Sequence, residues 1–360
     1  MTILHTEEMG VIGGQSLRVL EDLKIIRELG HHPILACKGA NWIAREARKL
    51  EIEVIDLPFK SRTDLFTAKE IFKLIRRRQI DIVHTHSSID SYLATYPAKL
   101  LGKRVVRSRH SELSKAPGHI YRIVDAIVTT GEKVAEQFKV SNIKKPKIVS
   151  IPSYPDERHF SPEPSRRQRM RLDLGFDDST LLLGAMTGTA KAKGVDLLLE
   201  AFAALSPGYP NLQLLLAGNI DQSALESLMQ QAHRHRIAEK ILFLGHTDAR
   251  DFLEALDLYI CPSRKEGVPQ ALMQAMMMGK PCVSTDVGSI AELNAENNLP
   301  LVPSEDTHAL TEVLQTLIND PQYRLKLGEK NRLLSKKYFS RSVMKERMAD
   351  LYESLGAKYA

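Results

Sequence analysis

The stretch EGVPQALMQAMMMGKPCVSTDVG, residues 266–288, brings a carboxylate and a carboxamide to a place where chemistry can be done. Glu266 follows the apolar run LDLYICPS, and the spacing predicts a helix over 269–278 with Pro269 in its first turn and Gly279 at its C-cap. A second buried strand, PCVST, and a glycine turn at Gly288 come next. This order sets Glu266 and Gln274, with seven residues between them, around the open C-terminal edge of a parallel sheet. Ligands of open α/β sheets bind at that edge, and a helix N-terminus there offers unpaired N–H groups to anions.

Four other segments carry polar chemistry. In GVIGGQSLR, residues 10–18, consecutive glycines serve either a close backbone approach to a phosphate or sugar, or simply a tight turn. The dinucleotide fingerprint GxGxxG is absent, since Gly30 is the next glycine after Gly13 and Gly14. HTHSSID, residues 84–90, leaves His86, Ser87, Ser88 and Asp90 at the end of a strand, as an acceptor-side pocket requires. Its HxH spacing without an obvious third ligand is weak support for a metal. RSRHSE, residues 107–112, sets Arg109 and His110 after another strand. LFTAKEIFKLIRRR, residues 65–78, reads either as a basic amphipathic helix lying on anionic membrane or as a helix packed on a sheet.

The elements that must position these residues alternate along 360 residues, a length sufficient for two domains. Short β-rich runs TILHT, PILAC, VIDLP, IDIVHT, RVVRSR, AIVTT and KIVSIP form a first series, with helices over 16–29, 41–50 and 65–78 between them. LLLGAM, LQLLLAG, ILFLG, LDLYICP, PCVST and LPLVP form a second, after a proline- and charge-rich linker over 153–168. Two doubly wound halves follow from the alternation alone. Residues 340–359 close the chain as an amphipathic helix.

The composition, 43% apolar and 26% charged, is that of a soluble globular protein with no run long enough to span a bilayer and no basic, apolar leader. Cys37, Cys261 and Cys282 sit in strand-like runs, which reads as reduced core thiols in a cytosolic protein. The net charge of +6 is uneven: residues 1–160 hold 27 Lys/Arg against 19 Asp/Glu. A basic first half suits an acidic partner such as a lipid surface or anionic glycolipid, or is ordinary solvated charge.

The 266–288 stretch resembles the signature of retaining nucleotide-sugar glycosyltransferases, in particular family four of the GT-B fold. That family normally reads glutamate, seven residues, glutamate; here the second position is Gln274. TGTAKAKGVDLLLEAF, residues 187–202, looks like the family loop that ends in lysine-glycine before a helix. Lys193 matches the family lysine, while Gly188 stands where an arginine is usual, with Lys191 close enough to supply the charge. His110 matches a family histidine near the reacting sugar, and Ser16 stands where many relatives carry glutamate.

The resemblance implies an α/β protein of GT-B fold, two Rossmann-like doubly wound domains facing a central cleft. Residues 1–160 plus 340–360 would bind the acceptor and 165–339 the nucleotide-sugar. The implied reaction moves a sugar from a nucleotide donor to a glycan or glycolipid acceptor with retention, as in lipopolysaccharide or cell-envelope synthesis. His110, Lys193 and Glu266 would act in catalysis. Gly13, Gly14, Gly188, Lys191, His246, Gly267, Val268, Pro269, Gln270 and Gln274 would join Lys193 and Glu266 in holding the donor, and Arg109 would join 86–90 on the acceptor side. No cofactor and no metal are expected, since no D-x-D occurs, and no nucleic-acid partner. The expected location is the cytoplasm, with peripheral contact on the inner face of the cytoplasmic membrane. A degenerate, non-catalytic sugar-nucleotide-binding scaffold and a sugar-nucleotide epimerase of the same fold stay open, the first because of Gly188 and Gln274.

Overall fold

The computed structural model describes residues 1–9, 14–110, 113, 115–141, 143, 145–186 and 191–356. They form two compact units, one of Met1–Ser153 with 344–356, the other of Tyr154–Val343.

The first unit is built on strands β1 (Thr2–Glu7), β2 (His32–Cys37), β3 (Glu53–Asp56), β4 (Ile82–Thr85), β5 (Arg104–Arg109), β6 (Ala126–Thr129) and β7 (Lys147–Ser150). All pair in parallel, in the order β3-β2-β1-β4-β5-β6-β7. The order reverses between β1 and β4, so a crevice opens at their carboxyl ends. The runs that make these strands are buried on both faces: Ile3, Leu4, Ile34, Leu35, Val105 and Val106 have no exposed surface. Helices supply the covering layers, as a parallel sheet requires.

In the second unit β8 (Leu181–Met186), β9 (Leu212–Ala217), β10 (Ile241–Gly245), β11 (Leu258–Cys261), β12 (Cys282–Thr285) and β13 (Leu301–Val302) pair in parallel in the order β10-β9-β8-β11-β12-β13. The switch point lies between β8 and β11. Leu183, Leu198, Phe202, Leu214, Ile260 and Val283 meet in its core. The three cysteines are free and buried.

Both sheets arise from the runs that predicted them, yet three details differ from the sequence reading. The helix after Glu266 runs Gln270–Met277, with Pro269 as its N-cap in extended conformation rather than inside the first turn. Gly279 does close it, at φ 71°. The expected linker contains a helix, Pro164–Asp173, hidden because its contacts are made by arginines. Arg171, 2% exposed, and Arg167 both reach Asp257 and carbonyls at 255–256.

The boundaries also move. Residues 154–160 and 340–343 pack with the second unit, not the first. The reason is local: Arg341 N donates to Pro155 O and to Glu157, Ser342 donates to Glu157, and the Tyr154 and Phe339 rings lie 5.8 Å apart.

Of the basic helix Leu65–Arg77, Ile71 and Ile75 are fully buried, so its stripe is a packing face; Leu65 and Phe66 remain exposed at 81% and 62%. Among the described residues no helix is long and apolar enough to cross a membrane.

Candidate active site

In the second unit the loops after β8 and β11 meet at the sheet switch point. Lys193 Nζ donates to Glu266 Oε1 at 2.5 Å, and Ser263 Oγ donates to the same oxygen at 2.8 Å. Glu266 is largely buried and Lys193 one-third exposed. Two glycines permit this approach. A Cβ on Gly194 would lie 1.9 Å from Pro262 O, and one on Gly288 would lie 2.0 Å from Glu266 O, so neither position accepts another residue without backbone movement.

Arg264 ties the lysine loop down. It forms a fork on Asp196 at 2.6 and 2.8 Å, reaches Glu305, and donates to Lys191 O at 2.9 Å, while its own N–H goes to Ala192 O. Sequence reading missed Arg264 because its partners lie 41 to 73 residues away.

Other expected donor residues cluster around this pair. Gly267 O accepts from Ser289 N, Val268 and Pro269 lead into the helix, and Gln270 and Gln274 lie on it, Gln274 half-buried. Lys191 is exposed, four residues before the helix Val195–Leu205. His246 is exposed at the end of the edge strand β10, with β9 between that strand and β8. Gly13 and Gly188 lie outside the described residues; Gly14 begins the helix Gly14–Glu28 of the first unit.

In the first unit four imidazoles gather at the carboxyl ends of β1, β4 and β5. His5, His84 and His86 are buried and His110 half-buried, with neighbouring ring centroids 4.5 to 5.5 Å apart. Burial is the main cause that keeps all four neutral. It holds His5 and His110 down to about 3, with Arg18 adding to it. His84 and His86 lie well below the usual imidazole value, with neighbouring imidazoles as the next cause.

Among the described residues His5, His84 and His86 form the one group able to supply three metal ligands, their nitrogens within 4.8 Å of one another. His5 is the third member that the HxH reading lacked. Their rings lie tilted or stacked, at interplanar angles of 21° to 48°. An ion there would have to draw a lone pair from each at about 2.0–2.1 Å. The nitrogens bond to each other and to Tyr352 and Ser108 instead.

Asp90, expected to meet the acceptor, serves the fold. Fully buried, it accepts from Thr6 Oγ1, from the backbone N–H of His86 and from the Ser87 hydroxyl, and its bond from Ser87 N–H is one half of a capping box on the helix Ser88–Leu100, the other half being the Asp90 N–H on the Ser87 side chain. His86 is likewise buried inside the imidazole group, whereas Ser87, Ser88 and Arg109 are half-buried at the same sheet edge. One group escaped sequence reading altogether. Glu7, fully buried at the end of β1, accepts from Gln15 Nε2 and Met9 N, and burial, with Asp90 next, pushes its carboxyl up to about 8.

Residues 178–320 match the protein family described as Glycosyl transferases group 1, and residues 12–156 the one described as Glycosyltransferase Family 4. The chain is 30% identical to the lipopolysaccharide core biosynthesis mannosyltransferase LpsB of Rhizobium meliloti over 255 residues, 69% of this chain and 70% of that protein. This chain belongs to the group 1, family 4 glycosyltransferases.

It is therefore a glycosyl-transferring enzyme, as the signature around Glu266 led one to expect. A GDP-mannose-dependent mannosyltransferase of Corynebacterium glutamicum, acting on a monoacylated phosphatidylinositol monomannoside, is 25% identical over 80% of each chain. The glycosyltransferase fold is shared with the UDP complex of Anabaena HepE, at TM-score 0.88 and 18% identity over 98% of this chain and 100% of that one. Two parallel Rossmann-like sheets of the GT-B class are thus established for this glycosyltransferase.

Proposed function

We propose that the enzyme transfers a hexosyl group, with retention of configuration and without a metal ion, from a nucleotide-sugar held by the second unit. The acceptor is a cell-envelope glycan or glycolipid, received by the first unit. The observation that carries this reading is the Lys193–Glu266 pair at the β8/β11 switch point. A carboxylate is a good acceptor for sugar hydroxyls. A lysine at the same spot stabilises the charge that grows on a departing nucleoside diphosphate, and a group that binds the leaving group more strongly in the transition state lowers the barrier.

In this reading Lys193, assisted by Lys191, neutralises the diphosphate, and backbone N–H groups at the start of the helix Gln270–Met277 share that work. Glu266 orients the sugar and Gln274 meets the ribose hydroxyls through its carboxamide. The family resemblance gives His110 of the first unit a role at the reacting sugar as well. The leaving diphosphate itself takes the acceptor proton on the face from which it departs, so no protein nucleophile is needed.

The mannosyltransferases among the relatives make GDP-mannose the first donor to test, and the HepE complex makes UDP-sugars the second. A thermal-shift screen of GDP-, UDP- and ADP-sugars decides between them, because a ligand at a hundred times its dissociation constant stabilises by about 2.7 kcal/mol. Product formation with the donor so found, followed by determination of the anomeric configuration, tests transfer and retention together. Tight nucleotide binding with neither transfer nor donor hydrolysis would instead identify a scaffold. Exposed Leu65 and Phe66, beside the basic residues of their helix, support peripheral contact with anionic lipid. Co-sedimentation with phosphatidylglycerol vesicles, lost on Leu65→Ser with Phe66→Ser, checks it.

A further inference from the structure

The four histidines, one tyrosine and one serine of the first unit form an unbroken line of hydrogen bonds. His110 Nε2 meets His86 Nδ1 at 3.3 Å, and His86 Nε2 meets His5 Nδ1 at 2.9 Å. His5 Nε2 meets Tyr352 Oη at 3.4 Å, Tyr352 Oη meets His84 Nδ1 at 2.8 Å, and His84 Nε2 ends on Ser108 Oγ at 2.8 Å. Tyr352 comes from the helix Arg341–Gly356, and its side chain is fully buried. Its position is 268 residues from His84 and 347 from His5.

The chemistry of a neutral imidazole constrains this line strongly. Each ring has one N–H and one lone pair, and a phenol has one proton to give. Every link needs one donor and one acceptor, so the direction chosen at one link passes to the next. Only two patterns satisfy all five links and also give the phenol proton a partner. In one, Ser108 donates to His84 and every histidine carries its proton on Nδ1. In the other, His110 donates to His86 and every histidine carries its proton on Nε2. The burial that keeps the rings neutral keeps the constraint in force.

The geometry points to Tyr352 as a positioning residue for His110: its hydroxyl, through His5 and His86, ties the proton position on His110, and so whether Nδ1 meets a substrate as donor or acceptor, to the one His84 takes beside Ser108. The phenol is the one link at which the direction can invert, by accepting from both His5 and His84, and that inversion would leave its proton without a partner in the line. Seating of the closing helix thereby couples the tautomer of a residue at the sheet edge to that of His84. The proposal rests on the assignment of His110 to the reacting sugar only for its effect on turnover; the tautomer pattern stands apart from it.

The test is nuclear magnetic resonance on the full chain labelled with nitrogen-15 in histidine, where two-bond proton–nitrogen correlations distinguish Nδ1–H from Nε2–H. In the unaltered protein His5, His84, His86 and His110 are expected to show one and the same tautomer. Tyr352→Phe removes the link while keeping the ring, and is expected to leave His110 as a mixture of tautomers, with turnover lowered severalfold at unchanged KM for the nucleotide-sugar. Mixed tautomers in the unaltered protein, or an unchanged His110 spectrum in Tyr352→Phe, would overturn the proposal. So would one equivalent of zinc in the purified protein that disappears in His5→Gln. The first of these measurements needs no variant, so a Tyr352→Phe protein that failed to fold would still leave the proposal decidable. A mixture of tautomers in Tyr352→Phe with turnover unaltered would uphold the relay and overturn only the role given to His110 at the sugar.

Discussion

Lys193 Nζ and Glu266 Oε1 are 2.5 Å apart although 73 residues separate them in the chain. Each is the other's counter-ion. In the proposed reading a diphosphate draws the lysine away and leaves the carboxylate to sugar hydroxyls and to Ser263, exchanging one ion pair for two sets of charge-assisted hydrogen bonds.

Lys193→Ala is expected to lower turnover by two orders of magnitude or more, since an oriented charge on the leaving group is typically worth about 3–4 kcal/mol. Steady-state kinetics on the folded variant measures it. A loss under threefold would remove Lys193 from the diphosphate site, and a larger loss in Lys191→Ala would move the role there.

Glu266→Gln should reduce turnover more than it weakens nucleotide binding if, as proposed, the carboxylate acts at the reacting sugar. Gln274→Glu, remote from the breaking bond, should change the donor dissociation constant by about tenfold or less, roughly 1.4 kcal/mol. Titration calorimetry and saturating kinetics on both variants separate the roles. A fully active Glu266→Gln, or a Gln274→Glu without turnover at saturating donor, reverses the assignments.

Activity is expected to persist in excess EDTA. The diphosphate charge in this reading is met by lysines and backbone N–H groups rather than by Mg²⁺. Loss of turnover on chelation, restored by Mg²⁺ or Mn²⁺, would count against it.

Stability should fall as pH rises from about 6.5 to 8, and the cause is Glu7, whose folded-state carboxyl titrates near 8 in place of 4.5. Between those values the folded state holds a proton that the unfolded state has released, so unfolding releases it and gains as pH rises. Asp22 and Asp90, each raised to about 6, act in the same sense but below this window. The buried histidines act in the opposite sense only below their unfolded value of 6.5. Lys280, held down to about 8, begins to oppose Glu7 only above that pH. The loss over the window is on the order of 2 kcal/mol. Thermal melts across it, compared with Glu7→Gln, should show the slope flattened in the variant; equal slopes would assign the effect elsewhere.

The sheets were legible because strands such as Arg104–Arg109 and Leu212–Ala217 are short β-rich runs bounded by charge or glycine, a pattern local to the strand itself. Glu266 and Lys193 were legible as types in a motif. Their pairing was not, nor was the brace from Arg264, because side-chain contacts across tens of residues leave no periodic trace. The helix Pro164–Asp173 was lost to the opposite error: proline and charge without apolar periodicity read as a linker, yet Arg171 is buried on carbonyls and Asp257. Asp90 read as a ligand group because a strand end collects both ligand groups and helix caps, and residue type alone does not separate the two.

The helix that carries Tyr352 leaves the ribosome after every strand of either sheet, and this orders the birth of the molecule. Residues 154–343 hold every strand and core residue of their own sheet, none of them on that helix. The first unit, though its seven strands are made earliest, waits with the floor of its histidine group open until residues 344–356 arrive. A released chain cut after Val343 would hold a whole second unit and an unfinished first, with imidazoles that water can still reach.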